Sequence, residues 1–175
     1  MTPVRPDSAR QLQKLGYECL IESGAGSRAE FSDADYEAAG VKVVGSAADL
    51  WGEADIIAKV RIPTLDELDY LTPEKTLITF FNPGGNQEGL DIAKEKGASV
   101  IAMEMVPRIS RAQKMDALSS MANIAGYRAV IEAGNNFGRF FTGQITAAGK
   151  VPPAKVLVVG AGVAGLAAIG TSTSL

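Results

Sequence analysis

The sequence predicts an α/β protein: a mostly parallel sheet covered by helices, then long helices, then the opening of a second α/β domain. Three observations carry that prediction. Helix-forming stretches alternate with short β-branched runs over residues 6–103, and three times the order is helix, glycine, strand, at Gly16, Gly40 and Gly97. Glycine is abundant (19) and aromatic residues are scarce (6%), the balance of a chain with many tight joints. Finally, an apolar run at 156–159 leads straight into glycines at 160, 162 and 165. Repeated βα units with short joints specify parallel pairing.

Each element follows from local chemistry. Pro6, Asp7 and Ser8 start a helix whose Leu12 and Leu15 lie one turn apart, and Gly16 closes it. Residues 17–22 read as a buried strand, 33–39 as a helix closed by Gly40, and 41–44 as the next strand. A helical turn at 46–51 precedes a strand at 56–60. Thr64 and Glu67 have capping-box spacing and open a helix ending near Leu71. A strand at 76–81, a helix at 88–96 closed by Gly97 and a strand at 99–103 complete the series. From 110 to about 141 no proline interrupts a stretch rich in Ala, Met, Ser, Leu and Arg, which reads as one or two long helices. Residues 142–153 form a connector punctuated by Gly143, Gly149, Pro152 and Pro153, and 155–159 read as a strand. The expected organisation is an α/β domain over 1–109, a helical bridge and connector over 110–150, and the start of a second domain over 151–175. That second domain is expected to be incomplete, since one strand cannot bury a core.

Composition removes several classes of function. Seventeen Lys and Arg against 20 Asp and Glu give a net charge of −3, so no basic field exists to hold nucleic acid. The absence of histidine removes His-dependent zinc sites, Ser-His-Asp triads and imidazole bases, and no metal site is expected. Cys19 is the sole cysteine, so no internal disulfide forms and a reducing compartment is expected. The N-terminus has no apolar stretch behind its basic residue and is not a secretory signal. The most apolar window, 156–170, is broken by four glycines and falls short of the ~20 residues a bilayer span needs.

Two segments carry chemistry. Gly160-x-Gly162-x-x-Gly165 after an apolar strand is the dinucleotide fingerprint in its required context. The first glycine permits the tight turn, the second admits a pyrophosphate, and the third allows close helix packing, with the helix N-terminus favouring phosphate charge. The acidic residue that would grip the adenosine ribose falls about 20 residues on, beyond Leu175. Gly24-x-Gly26-x-x-Ala29 fits a looser form, but the acidic Glu30, Phe31, Ser32, Asp33 sequence behind it reads as a turn. The second segment begins at Arg108. Ser110 and Gln113 have capping-box spacing, while Gln113, Asp116, Ser120, Asn123 and Tyr127 fall on one nearly uncharged polar stripe. Met115, Leu118, Ala122 and Ala125 form an apolar face beside it. This pattern fits a ligand-cleft wall and helix–helix hydrogen bonding equally well.

The sequences PRISRAQ at 107–113, DALSSMANIAGYR at 116–128, the run 137–155 and the glycine motif behind it resemble the proton-translocating NAD(P) transhydrogenase alpha subunit, within the alanine dehydrogenase/transhydrogenase family. ESGAG at 22–26 extends the similarity to most of the chain. The resemblance implies two Rossmann-like, doubly wound domains joined by long helices, the second incomplete. It implies NAD(H) bound here and NADP(H) on a partner domain, with direct hydride transfer coupled to a membrane proton channel. Arg108, Gln113 and Asp116 match the loop that holds the nicotinamide and its ribose. Ser119 matches a further polar contact, Lys114, Met115 and Ala117 lie along the same wall, and Gly160, Gly162, Val163 and Gly165 match the pyrophosphate turn. A homodimer is implied, as is a soluble domain peripheral to a membrane on its cytoplasmic or mitochondrial matrix side.

Two departures from the family shape further expectations. The chain starts at the family's first helix, without its leading strand and Arg-containing loop. It also reaches Thr171, Ser172, Thr173 and Ser174 where an ordinary helix should continue. Truncation at both ends is therefore expected, as is poor NADH binding by residues 1–175 alone. Alanine dehydrogenase shares the two-domain plan, and Lys59 stands where its substrate lysine would be. Residues 81–86 of this chain offer Asn82 in place of a proton-shuttling histidine. Transhydrogenation needs no acid–base residue, only two rings held in contact. An alanine dehydrogenase-like oxidoreductase and a non-catalytic nucleotide-binding remnant are the alternatives.

Overall fold

The computed structural model describes residues 2–175, which fall into two compact units divided between Val106 and Pro107. The first unit runs α1 (Pro6–Lys14), β1 (Leu20–Glu22), α2 (Asp33–Glu37), β2 (Lys42–Val44), α3 (Ala47–Glu53), β3 (Ile56–Ala58), α4 (Leu65–Leu68), β4 (Thr76–Thr79), α5 (Gln87–Lys96) and β5 (Ser99–Ala102). All of its strand pairing is parallel. β1 pairs with β2, Ile21 facing Val43, while β3, β4 and β5 pair in sequence order with Leu77 between Ile57 and Val100. The expected parallel strands thus fall into two sheets rather than one continuous sheet. Each strand is shorter than its apolar run, because ladder partners and not propensity set where a strand ends.

Two apolar clusters hold this unit. Trp51, Ile57, Leu68, Leu71, Leu77, Phe81 and Ala93 surround the β3–β5 sheet, and Ala9, Ile21, Tyr36, Ala39 and Val41 surround the other. The helix starts are made by side chains. Ser32 with Asp35, and Thr64 with Glu67, form full capping boxes, and Asn86 caps α5. Thr64 caps as the spacing predicts, although α4 ends at Leu68 and Leu71 enters the core from a turn.

The second unit contains a 3₁₀ segment (Ser110–Met115), α6 (Ala117–Asn136), β6 (Gln144–Thr146), β7 (Gly149–Val151) and α7 (Val163–Ser174). Four expectations are corrected here. The capping box at Ser110 and Gln113 does not form, because both residues lie inside the 3₁₀ segment and no side chain caps it. Asp116 caps the long helix instead, accepting the Ser119 backbone N–H. The connector at 142–153 carries an antiparallel hairpin, with Gln144 opposite Val151. Residues 155–159 form no ladder: among the described residues no strand pairs with them, and Leu157 and Val159 stand 88% and 91% exposed. The run has the apolar content of a strand but no neighbour to complete its hydrogen bonds. The serines and threonines at 171–174 do continue α7, and each hydroxyl donates to the carbonyl four residues back, which keeps it from competing for a non-helical backbone partner. No described helix is long and apolar enough to cross a membrane.

Candidate functional site

The glycine turn of the second unit is built as its spacing requires, each glycine for a separate reason. Gly160 sits at φ +115°, a conformation that side chains with a Cβ rarely adopt. A Cβ on Gly165 would fall 2.0 Å from the Gly160 carbonyl oxygen, so only glycine lets α7 close on its own turn. A Cβ on Gly162 would meet nothing within 4 Å, which leaves the N-terminus of α7 open to a ligand. Gly162 also supplies no side-chain cap, and the first N–H groups of this 12-residue helix are free to bind an anion.

Facing this turn is the start of α6. Arg108, Leu118, Ser119 and Ala122 line one side of a cleft of about 450 Å³, and Val159, Gly160, Gly162, Val163, Ala164 and Gly165 line the other. The structure therefore brings together Arg108, Ser119, Gly160, Gly162, Val163 and Gly165, drawn from both sequence segments. A guanidinium, a helix N-terminus and an open glycine turn make the cleft suited to a phosphate-bearing ligand.

The other proposed residues take different places. Gln113, Lys114 and Met115 are exposed on the 3₁₀ segment, and Asp116 and Ala117 are half-buried at its junction with α6. None of these five lines the cleft. Asp116 acts one step removed. Its carboxylate accepts the Ser119 hydroxyl at 2.7 Å and the Ser119 N–H at 2.9 Å. Those two bonds, aided through space by the charge of Arg108, hold its pKa below the usual aspartate value. Sequence reasoning placed Leu118 and Ala122 on an apolar face without assigning them to the site. Their distance from the glycine motif in sequence gave no signal of the approach.

In the first unit the loops after the strands are internally braced. Asn82 adopts φ +52°, and its N–H donates to Glu104, which also accepts the Phe81 N–H at 3.2 Å. Lys59 donates to Glu67 at 2.5 Å, and the other Glu67 oxygen accepts the Thr64 N–H at 2.7 Å. Burial raises the Glu67 pKa, but the hydrogen bonds from Lys59 and Thr64 outweigh it and hold the carboxyl below its usual value. The Gly24–Gly26 segment is a structural turn: Asp33 accepts the Ser23 hydroxyl at 2.6 Å and the Gly24 N–H at 2.8 Å. A Cβ on Gly26 would press on Phe31 and the Tyr36 ring.

Parallel sheets in one unit and a glycine turn opening a helix in the other define an α/β protein of the nucleotide-binding class. The chain belongs to the alanine dehydrogenase/PNT family: the model of its N-terminal domain matches residues 1–125 and that of its C-terminal domain residues 129–175. It is 74% identical over 97% of its length to an NAD(P) transhydrogenase subunit alpha of Cereibacter sphaeroides, covering 32% of that protein. It is 54% identical over 97% of its length to the subunit of the same name from Haemophilus influenzae, covering 33% of that protein. The chain thus spans about a third of the length of these relatives. Among solved structures, a transhydrogenase from Sinorhizobium meliloti matches with a TM-score of 0.91 and 44% identity, over 98% of this chain and 51% of that one. An L-alanine dehydrogenase matches with a TM-score of 0.82 and 30% identity, over 98% of this chain and 47% of that one. The fold is accordingly Rossmann-like.

Proposed function

We propose that this chain is the NAD(H)-binding part of a proton-translocating NAD(P) transhydrogenase, in which hydride passes directly between NADH and NADP+ while protons cross a membrane. The observation that carries this reading is the cleft in which Arg108 and Ser119 face the glycine turn. The high identity to transhydrogenase alpha subunits supports it. When bound, the nicotinamide supplies the hydride; the residues of this chain hold and orient the cofactor. Gly160, Gly162, Val163 and Gly165 present the turn and helix N-terminus to the pyrophosphate, and Arg108, across the cleft from them, serves the nicotinamide and its ribose. Ser119 has committed its hydroxyl proton to Asp116, so its oxygen is left as an acceptor for a cofactor hydroxyl. Gln113 and Asp116, with Lys114, Met115 and Ala117 beside them, lie outside the cleft lining and serve the nicotinamide end of the cofactor beyond it. Catalysis is then positioning with water excluded, and no side chain need move a proton.

In this reading the chain contributes a first α/β domain over 1–109, a helical bridge over 110–150 and the opening of a Rossmann-like NAD domain over 151–175. NADP(H) binds a partner domain, a membrane domain carries the protons, and two copies form a homodimer on the cytoplasmic or matrix side. The test uses the complete gene product that carries this sequence. Deuteride transfer from C4-deuterated NADH to NADP+ is the expected result. NADH oxidation that depends on pyruvate and ammonia, without transfer to NADP+, would support the alanine dehydrogenase reading instead. The pairing of Lys59 with Glu67 weighs against that alternative, since its ammonium is already engaged by a carboxylate of the same chain.

A further inference from the structure

We propose that Gly126, which lines no ligand cleft, is a positioning residue that sets the width of the nucleotide cleft by letting the first turn of α7 rest directly on the backbone of α6. The inference rests on the reading of that cleft as the NAD(H) site.

The cleft is the mouth of a wedge between the two helices. Leu118, Ser119 and Ala122 line it from α6, and Val163, Ala164 and Gly165 line it from α7. Ser119, Ala122, Gly126 and Val130 recur at spacings of three and four, so they share one stripe of α6. Toward the C-terminus the stripe passes from the open cleft to buried packing, since Gly126 and Val130 are the buried residues of α6. Gly126 therefore stands one turn beyond the open part, where the wedge closes. A Cβ built there would lie 2.0 Å from the Ala164 carbonyl oxygen and 2.8 Å from its carbonyl carbon. Both are backbone atoms of the first turn of α7, so no side-chain rotation relieves the clash.

Real Cβ atoms essentially never approach within 3.0 Å of such atoms, so the helices must separate or tilt by about an ångström. Because Gly165 is locked against the Gly160 carbonyl, the glycine turn must move with α7 rather than stay behind. One substitution outside the cleft thus displaces the pyrophosphate turn from Arg108 and Ser119. Displacements of about an ångström in a positioned site cost on the order of a hundredfold in reaction rate.

The test is an NADH fluorescence titration of the complete gene product, with thermal melts to confirm folding. Gly126→Ala is expected to weaken NADH binding clearly, by more than Val130→Ala does, while still melting cooperatively. Val130→Ala, which leaves a cavity in the same stripe without separating the helices, is expected to lower Tm and keep affinity within about twofold. A purely structural role for Gly126 would make the two variants behave alike. If Gly126→Ala does not melt cooperatively, Val130→Leu carries the test. It adds a methylene to the buried end of the same stripe, and severalfold weaker binding is expected from a folded protein. Unchanged NADH affinity in a folded Gly126→Ala or Val130→Leu protein overturns the inference alone. Absence of saturable NADH binding by the unsubstituted protein overturns the cleft reading, and this inference with it.

Discussion

Asp116 does two jobs with one carboxylate: it caps α6 and it fixes Ser119 at the edge of the cleft. Asp116→Ala should therefore lower Tm through the lost cap and weaken NADH binding severalfold through a freed Ser119. Asp116→Asn keeps a cap of equal quality and should restore most of the Tm. Melts and NADH titrations of both variants check this, and an Ala variant that melts like the native protein would refute the capping role. The titration of Asp116 gives a second handle. Its native pKa is depressed, so the cap contributes above the usual carboxylate range and is lost as pH falls through the lower native value. Glu67 follows the same sign, since its hydrogen bonds to Lys59 and Thr64 hold its pKa down. Tm should accordingly be flat near neutrality and fall below about pH 4. Glu67→Gln should lower Tm at neutral pH and flatten that acid slope, as melts across a pH series would show.

At the scale of elements, α7 depends on its approach to its own turn. Gly165→Ala puts a methyl group 2.0 Å from the Gly160 carbonyl oxygen, a backbone atom that no rotamer change can move aside. Overpacking of this kind costs about 1–3 kcal/mol. Chemical denaturation should register that loss, and NADH titration should show binding reduced to a small fraction of the native affinity. An affinity equal to that of the native protein would mean that the turn does not hold the cofactor. The hairpin of β6 and β7 is a different kind of element. All of its residues are exposed, and an isolated two-stranded hairpin is marginal in water. It is tied by local geometry: Gly149 takes φ +137° at the start of β7, and the Ala148 N–H donates to the Thr146 hydroxyl.

At the scale of the molecule, each unit has an interior of its own. The first rests on the β3–β5 core, in which Leu77 and Phe81 are completely buried. Leu77→Ala should cost about 2–5 kcal/mol, from lost transfer energy and the residual cavity. Urea unfolding should show a lower midpoint for the first unit with little change in slope. The second unit has a thinner interior, with Ala112, Gly126 and Val130 as its buried residues. Its cohesion comes from close backbone approach between α6 and α7, so small residues matter there more than large ones.

Most of the fold was legible in the sequence because its signals are local. The glycines at 16, 40 and 97 mark helix ends through their positive φ, and Thr64 with Glu67 marks a helix start through hydrogen bonds spanning three residues. The tight turn at Gly160 and the close packing at Gly165 were likewise readable from spacing, since a sharp turn into a helix imposes both whatever surrounds it. What sequence could not decide depends on distant partners. Residues 155–159 read as a strand, but a strand exists only beside another. Ser110 read as a cap, but a 3₁₀ segment moved the true start of α6 to Asp116, where a carboxylate could bind two groups of Ser119. The meeting of Arg108 and Ser119 with the glycine turn, and the bare backbone of Gly126 that sets its width, were decided only by tertiary structure, because they depend on the distance between two helices some 40 residues apart, which no local periodicity encodes.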